Sequence, residues 1–301
     1  MTNYRSIFLE PDWVHVRYHG WQDSWPEPTV RILSKHHGPF QRHLVMSELA
    51  DESRVLALLR QLRSRAGPMA EIILHDFACC SALESALPGI GFAPLPAAER
   101  LLNIATFVID LRRSDEDLLA RMSADCRRKI RKAQKEGSRF LVDDHPSGST
   151  IAAFLVDFAR IAAERSLQRP AADVVRRMFD DGRATLFTVE QGGDASHRLM
   201  TYRAGDKAIF LYGVGGAKSN SGAGNLLHWS AMRHLRQTGV NWYDFGGLAS
   251  TSEADGIYRF KRGFGGELVD LGKEFGSRTF LAALVRRGAG MFRRLGDRDH
   301  P

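Results

Sequence analysis

A chain of 301 residues, 44% hydrophobic and 26% charged, has the balance of a water-soluble globular protein, with room for one large core or two smaller ones. Its formal charge of +7 points to an anionic partner: RNA, a nucleotide diphosphate, coenzyme A or an anionic membrane surface, with DNA not among those expected. No apolar run approaches the ~20 residues of a membrane-spanning helix, and Met1-Thr2-Asn3-Tyr4-Arg5 does not lead into the apolar stretch of a secretory signal. Residence in the cytoplasm is therefore expected, either free or in peripheral contact with the inner membrane face.

The first hundred residues read as alternating strand and helix. Thr29 to Leu33 alternates like a strand and runs on to the turn at Gly38-Pro39. Val55, Leu58, Leu59 and Leu62 repeat at helical spacing, and Gly67-Pro68 stops that helix. Glu71 to His75 is a second strand, Cys80 to Leu87 a short helix, and Thr106 to Leu111 a third strand. Ser114 is an N-cap followed by Asp115, Glu116 and Asp117, and one helix is expected from there to the stop at Gly137. Its later turns carry Arg121, Arg127, Arg128, Lys129, Arg131, Lys132 and Lys135, more cations than Asp125 and Glu136 can pair. An anion-binding face, best suited to an RNA backbone, is expected there.

Helices over Ser149 to Ser166 and Ala171 to Phe179 follow. Then come strands over Ala184 to Glu190, Arg198 to Arg203 and Lys207 to Val214, a helix over Asn225 to Gln237, and a strand over Val240 to Phe245. From Phe275 onward a helix is expected, with Phe280, Leu281, Leu284, Val285 and Phe292 beside Arg286, Arg287, Arg293 and Arg294. It would either rest on an anionic membrane or pack on the domain. Cys79, Cys80 and Cys126 form no even-numbered framework and read as reduced and structural. His36, His37 and His43 have no Cys or carboxylate at ligand spacing, so no metal is expected.

Two motifs stand out. One is the basic run Leu118-Leu119-Ala120-Arg121-Met122 through Arg127-Arg128-Lys129-Ile130-Arg131-Lys132-Ala133-Gln134-Lys135-Glu136-Gly137. The other is Tyr243-Asp244-Phe245-Gly246-Gly247 followed by Phe260-Lys261-Arg262-Gly263-Phe264-Gly265-Gly266. Together and in this order they resemble the Fem family, transferases that add amino acids from aminoacyl-tRNA to the peptidoglycan precursor. The resemblance is good over roughly residues 100 to 275 and holds only in outline before that. It implies an α/β fold of tandem acetyltransferase-like (GNAT) domains with mixed sheets flanked by helices. A degenerate first domain would span residues 1–105 and a catalytic one 106–275, with a basic tail over 276–301.

The resemblance also assigns roles. In GNAT folds the donor carbonyl meets backbone N–H groups where two central strands part, which here implies Tyr212-Gly213-Val214-Gly215, with Tyr212 either a donor to the leaving oxygen or a core phenol. Gly222 and Gly224 would receive donor phosphate at a helix N-terminus. The segment Ser219-Asn220-Ser221-Gly222-Ala223-Gly224 lacks the Arg or Gln that opens the usual coenzyme A loop. Lys261, beside Phe260, is associated with the transfer step: its ammonium could hold a phosphate or the tetrahedral oxyanion. Asp244 either orients Lys261, accepts the amine proton or caps the following turn. Arg127, Arg128, Lys129, Arg131 and Lys132 are implied on the donor side, Arg169 and Lys35 on the acceptor side. No tightly bound cofactor is expected, only aminoacyl-tRNA or acyl-CoA as co-substrate. The expected reaction is amide formation on a peptidoglycan precursor or related amine. The alternatives are an acyl-CoA N-acyltransferase of envelope polysaccharide or secondary metabolism, and a non-catalytic RNA- or membrane-binding protein on the same scaffold.

Overall fold

In the computed structural model, residues 4 and 6–278 are described, apart from 28, 166, 168, 193 and 216–221. Proline at its first position opens α1 (Pro11–Arg17). Strands β1 (Gln22–Glu27), β2 (Val30–His37) and β3 (Phe40–Ser47) follow, the last two joined through Gly38, whose φ of 57° suits a two-residue hairpin turn. Asp51 caps α2 (Glu52–Arg65), which buries Val55, Leu56 and Leu59. Then come the wholly buried β4 (Ala70–Asp76), α3 (Ser81–Ala86) and the two-residue β5 (Ala93–Pro94).

The second half runs β6 (Ala105–Asp110), α4 (Asp115–Arg121), α5 (Ala124–Lys135), β7 (Arg139–Asp143), α6 (Gly148–Arg165) and α7 (Ala172–Asp180). After these come β8 (Ala184–Gln191), β9 (Asp194–Ala204), β10 (Lys207–Gly215), α8 (Ala223–Gln237), β11 (Trp242–Leu248), α9 (Gly256–Arg262), β12 (Glu267–Asp270) and β13 (Lys273–Arg278). The expected fold class, α/β with mixed sheets flanked by helices, is the observed one.

The described residues divide into two units, one drawn from 4–16 and 105–269, the other from 17–104 and 270–278. The second unit holds a sheet in the order β1-β2-β3-β4-β13-β5, with β3 and β4 parallel. Leu59, Ile72, Leu74, Leu83, Leu87 and Phe275 meet in its core. Here the sequence expectation of a helix from Phe275 is corrected. Residues 273–278 form a strand antiparallel to β4, with Phe275 and Gly276 also paired to β5. Phe275 fills the core, and the buried Glu274 accepts from the backbone N–H of Leu101 and faces His75 Nδ1 at 3.2 Å. The remainder of that expected tail lies outside the described residues.

The first unit holds the sheet β12-β6-β11-β10-β9-β8-β7. Its strands β8, β9 and β10 form an antiparallel meander, and α8 carries the chain across to β11, parallel to β10. The single helix expected over 114–137 is in fact two. Met122 leaves the helical conformation, its own N–H bonded to Leu119 O, and Ser123 starts α5 by accepting from Cys126 N. The break is held from outside, because Ser123 N donates to Gly263 O.

Candidate active site

The ladder between β10 and β11 covers only Lys207–Trp242, Ala208–Tyr243 and Ile209–Asp244. Beyond it each strand bulges. On β10, Phe210 pairs with Thr201 and Tyr212 with Met200, leaving Leu211 extra. On β11, Asp244 pairs with Val108 and Gly247 with Thr106, leaving two residues against one. The two strands therefore part at Ile209 and Asp244. The edge of β10 that continues through Gly213-Val214-Gly215 remains paired to β9 and carries no ladder on the β11 side. This is the fork expected around Tyr212.

Asp244 holds the fork together. Its carboxylate is buried and accepts from Gly246 N at 2.7 Å and from the Tyr4 hydroxyl at 2.7 Å, with the Thr106 hydroxyl at 2.5 Å. Burial pushes its pKa up, against those hydrogen bonds and the nearby Lys261 charge. Of the roles open to Asp244, capping the turn into Gly246 is thus occupied. Gly246 has φ 68°, and a Cβ there would stand 2.4 Å from Phe210 O. Only glycine fits this bulge.

Lys261 lies in the last turn of α9, which Asp255 caps by accepting from Ile257 N and Tyr258 N. Its side chain is buried, and Nζ donates to Gly246 O at 2.9 Å and Gly247 O at 2.8 Å. The Phe210 ring centroid is 5.9 Å away. Burial lowers its pKa to about 8, with Asp244 and Asp255 pulling the other way. Phe260 joins Phe264 and His228 in an aromatic group that also includes Phe210, Tyr243 and Phe245. His228 is fully enclosed there. Burial lowers its pKa to about 3, so the ring is neutral, and Nδ1 shares a hydrogen bond with the Tyr243 hydroxyl at 2.8 Å.

The other candidates divide into near and far. Tyr212 is turned by the bulge onto α6, edge-to-face with Phe158 at 5.1 Å, in keeping with its reading as a core phenol. Gly213 leaves room for Phe210, whose ring would stand 2.9 Å from a Cβ there. Gly222 is the N-cap of α8 at φ 75°, with Lys129 O 2.2 Å from where a Cβ would stand, so α5 lies tightly against the start of α8. No side chain caps that helix, and Gly224 follows in its first turn.

On α5 the expected surplus of cations is smaller than it looked. Arg128 and Lys129 share Asp125, Lys132 pairs with Glu136 at 3.7 Å, and Arg127 donates to Leu119 O and Met122 O at the end of α4. Arg127 is thus a cap for α4, whereas Arg128, Lys129, Arg131 and Lys132 remain at least partly exposed. Arg169 is exposed in the segment before α7. Lys35 belongs to β2 of the other unit, with Nζ 5.6 Å from the Trp21 ring.

Sequence reasoning passed over Tyr4, Thr106, His197 and His228. His228 sits among apolar neighbours of α8 and reads as core, while Tyr4 and Thr106 meet Asp244 across 240 and 138 residues. Among the described residues no cluster of His, Cys, Asp or Glu could hold a metal, and no helix is long and apolar enough to cross a membrane.

Residues 120–262 match the acetyltransferase (GNAT) domain family, a span that takes in α5, the meander, the fork and Lys261. No curated protein matches the chain in sequence. Among solved structures it is similar to FemX at 15% identity and TM-score 0.68, over 93% of this chain and 94% of that one. The C-terminal domain of an Agrobacterium fabrum protein assigned as a lysylphosphatidylglycerol synthetase matches at 14% identity and TM-score 0.57, over 94% and 91%. A tandem GNAT protein from the clavulanic acid biosynthesis pathway matches at 12% identity and TM-score 0.52, over 85% and 81%. At these identities the likeness is one of fold, and the fold is that of GNAT acyltransferases.

Proposed function

We propose that this chain, a GNAT-fold protein with its GNAT domain over residues 120–262, is an N-acyltransferase that passes an amino acid from aminoacyl-tRNA to an amine, a peptidoglycan precursor or related small molecule. The observation that carries the reading is the fork beyond Ile209 and Asp244, with the buried Lys261 ammonium at its β11 arm. The free edge of β10 at Gly213 to Gly215 offers backbone donors to the carbonyl under attack. Lys261 spends two N–H bonds on Gly246 O and Gly247 O, which fixes the ammonium in place. Its third N–H and its charge then serve the developing oxyanion or the terminal phosphate of the donor. Fixed donors in a site shielded from water stabilise such charge without reorganising as it forms. Asp244 takes no proton in this scheme, because its lone pairs hold the bulge that presents the two carbonyls.

The donor's phosphates are assigned to the start of α8 at Gly222 and Gly224, where glycine lets a ligand approach the backbone and the helix dipole favours an anion. The close contact of Gly222 with Lys129 O puts α5 beside that point, so Arg128, Lys129, Arg131 and Lys132 extend the anion path. Their ion pairs with Asp125 and Glu136 are exposed and worth well under about 1 kcal/mol each, so a phosphate can displace them. Arg169 remains a proposed contact for the acceptor.

A second reading, an acyl-CoA donor, is favoured by one feature alone: the glycine-started, uncapped N-terminus of α8 is sufficient for a pyrophosphate without α5. Binding of deacylated total tRNA to the purified protein separates the two. The triple variant Arg128→Gln, Arg131→Gln, Lys132→Gln should bind tRNA at least about 10-fold more weakly and with a shallower salt dependence than the natural chain. No binding by the natural chain, or equal binding by both, contradicts the tRNA assignment.

A further inference from the structure

On β9, directly opposite Gly215 at the end of β10, stands His197. A Cβ at Gly215 would lie 3.4 Å from its Cδ2 and 3.5 Å from its Nε2, and one at Gly224, in the first turn of α8, would lie 3.6 and 4.0 Å from the same atoms. Two glycines therefore stand against the Nε2 edge of this ring, one at the end of β10 and one at the start of α8. The opposite nitrogen, Nδ1, lies 3.3 Å from Ser196 Oγ, and Nε2 has no hydrogen-bond partner among the described residues. The ring is half-buried, and burial lowers its pKa below the ordinary 6.5. Beside it, β8 places Val189 and β10 places Gly215, both uncharged. From α8 comes His228, which is itself neutral and is electrostatically coupled to both His197 and Lys261. A neutral imidazole with one nitrogen beside a hydroxyl and the other without a hydrogen-bond partner among the described residues has the form of a proton acceptor.

We propose that His197 is the general base of amide formation, taking the proton of the acceptor's ammonium at Nε2. The proposal rests on the acyltransferase reading given above. A primary amine is protonated near neutral pH and has no lone pair to attack with. Transfer of one proton to His197 Nε2 gives the neutral amine and an imidazolium. The nitrogen then attacks the donor's carbonyl carbon, and the new C–N bond forms as the carbonyl oxygen takes negative charge. Collapse of that intermediate breaks the carbon–oxygen bond of an ester donor, or the carbon–sulfur bond of a thioester. A second proton from the attacking nitrogen goes to the leaving oxygen or sulfur, and the imidazolium returns its proton to water. The lowered pKa keeps His197 ready as a base at neutral pH.

The test compares the natural chain with His197→Gln and His197→Ala, using whichever donor the natural chain accepts and following kcat and kcat/KM from pH 4.5 to 9. The natural chain should show an acid limb with an apparent pKa below 6.5. His197→Gln should lose about 10²-fold in kcat at unchanged donor KM and lose that limb. Imidazole in the buffer should restore part of the rate to His197→Ala. Variants that keep both the rate and the acid limb overturn the proposal while leaving the acyltransferase reading standing. A natural chain that transfers from no donor overturns both. Should the variants fail to fold, carbethoxylation of the natural chain by diethylpyrocarbonate, mapped by mass spectrometry, decides the matter. Modification of His197 must track loss of transfer, and a chain fully modified at His197 that still transfers contradicts the proposal.

Discussion

Held by two carbonyls and enclosed by protein, the Lys261 ammonium has exchanged water for fixed partners, and the exchange is incomplete enough to lower its pKa to about 8. The sign of the consequence is definite. In the unfolded chain the lysine binds its proton up to about 10.5, so between the two values the unfolded state holds more protons and stability rises with pH. Activity that depends on the charged form moves the other way. The rate should fall as pH rises through about 8, and the alkaline limb should shift upward in Lys261→Arg if that variant retains activity. A pH–rate profile with no alkaline limb between pH 7 and 9.5 would count against a role for the ammonium. Lys261 was legible in the sequence because it sits between Phe260 and the glycines at 263, 265 and 266, after Tyr243-Asp244-Phe245-Gly246-Gly247. The Asp244 partners were not legible, since a hydroxyl from Tyr4 or Thr106 carries no local signal of a contact made so far along the chain.

At the level of elements, periodicity served where an element is stabilised by its own pattern. The meander β8–β10, helix α8 and strand β11 all lie where alternation and helical spacing put them. It failed where distant backbone decides. The α4–α5 break depends on Ser123 N bonding Gly263 O, and Gly265 at φ 74° lies so close that a Cβ would meet Arg121 O at 2.2 Å. The glycine motif thus packs against the start of the basic helix, so the two motifs meet in space. Ser123→Ala should cost about 1 kcal/mol by removing the cap of α5. Gly265→Ala should cost on the order of 3 kcal/mol through backbone strain and the clash with Arg121 O. Thermal melts that rank Ser123→Ala as the more damaging of the two would contradict this packing. Strand β13 escaped the sequence for a similar reason: Lys273 to Arg278 has no strong alternation and is a strand because β4 and β5 pair with it.

For the molecule as a whole, the charge of +7 points to an anionic partner without choosing one. The proposed site narrows the choice to groups that can follow α5 to the start of α8, two elements that touch through Gly222 and Lys129. The fold class was legible because strand and helix alternate along both halves. The division into units was less so, because residues drawn from 4–16 fall with 105–269 and the segment 270–278 falls with 17–104, an interleaving that leaves no composition shift in the sequence. The central claim, transfer of an amino acid from tRNA through a site built on Lys261, is tested most directly by one measurement. The protein is incubated with amine acceptors and either radiolabelled aminoacyl-tRNA or an acyl-CoA mixture, and consumption of each donor is followed alongside the Lys261→Ala variant. The account predicts loss of label from tRNA into the amine fraction, abolished in the variant, with acyl-CoA untouched. Release of free CoA with the tRNA still charged would contradict it, and consumption of neither donor would leave a binding protein on a GNAT scaffold.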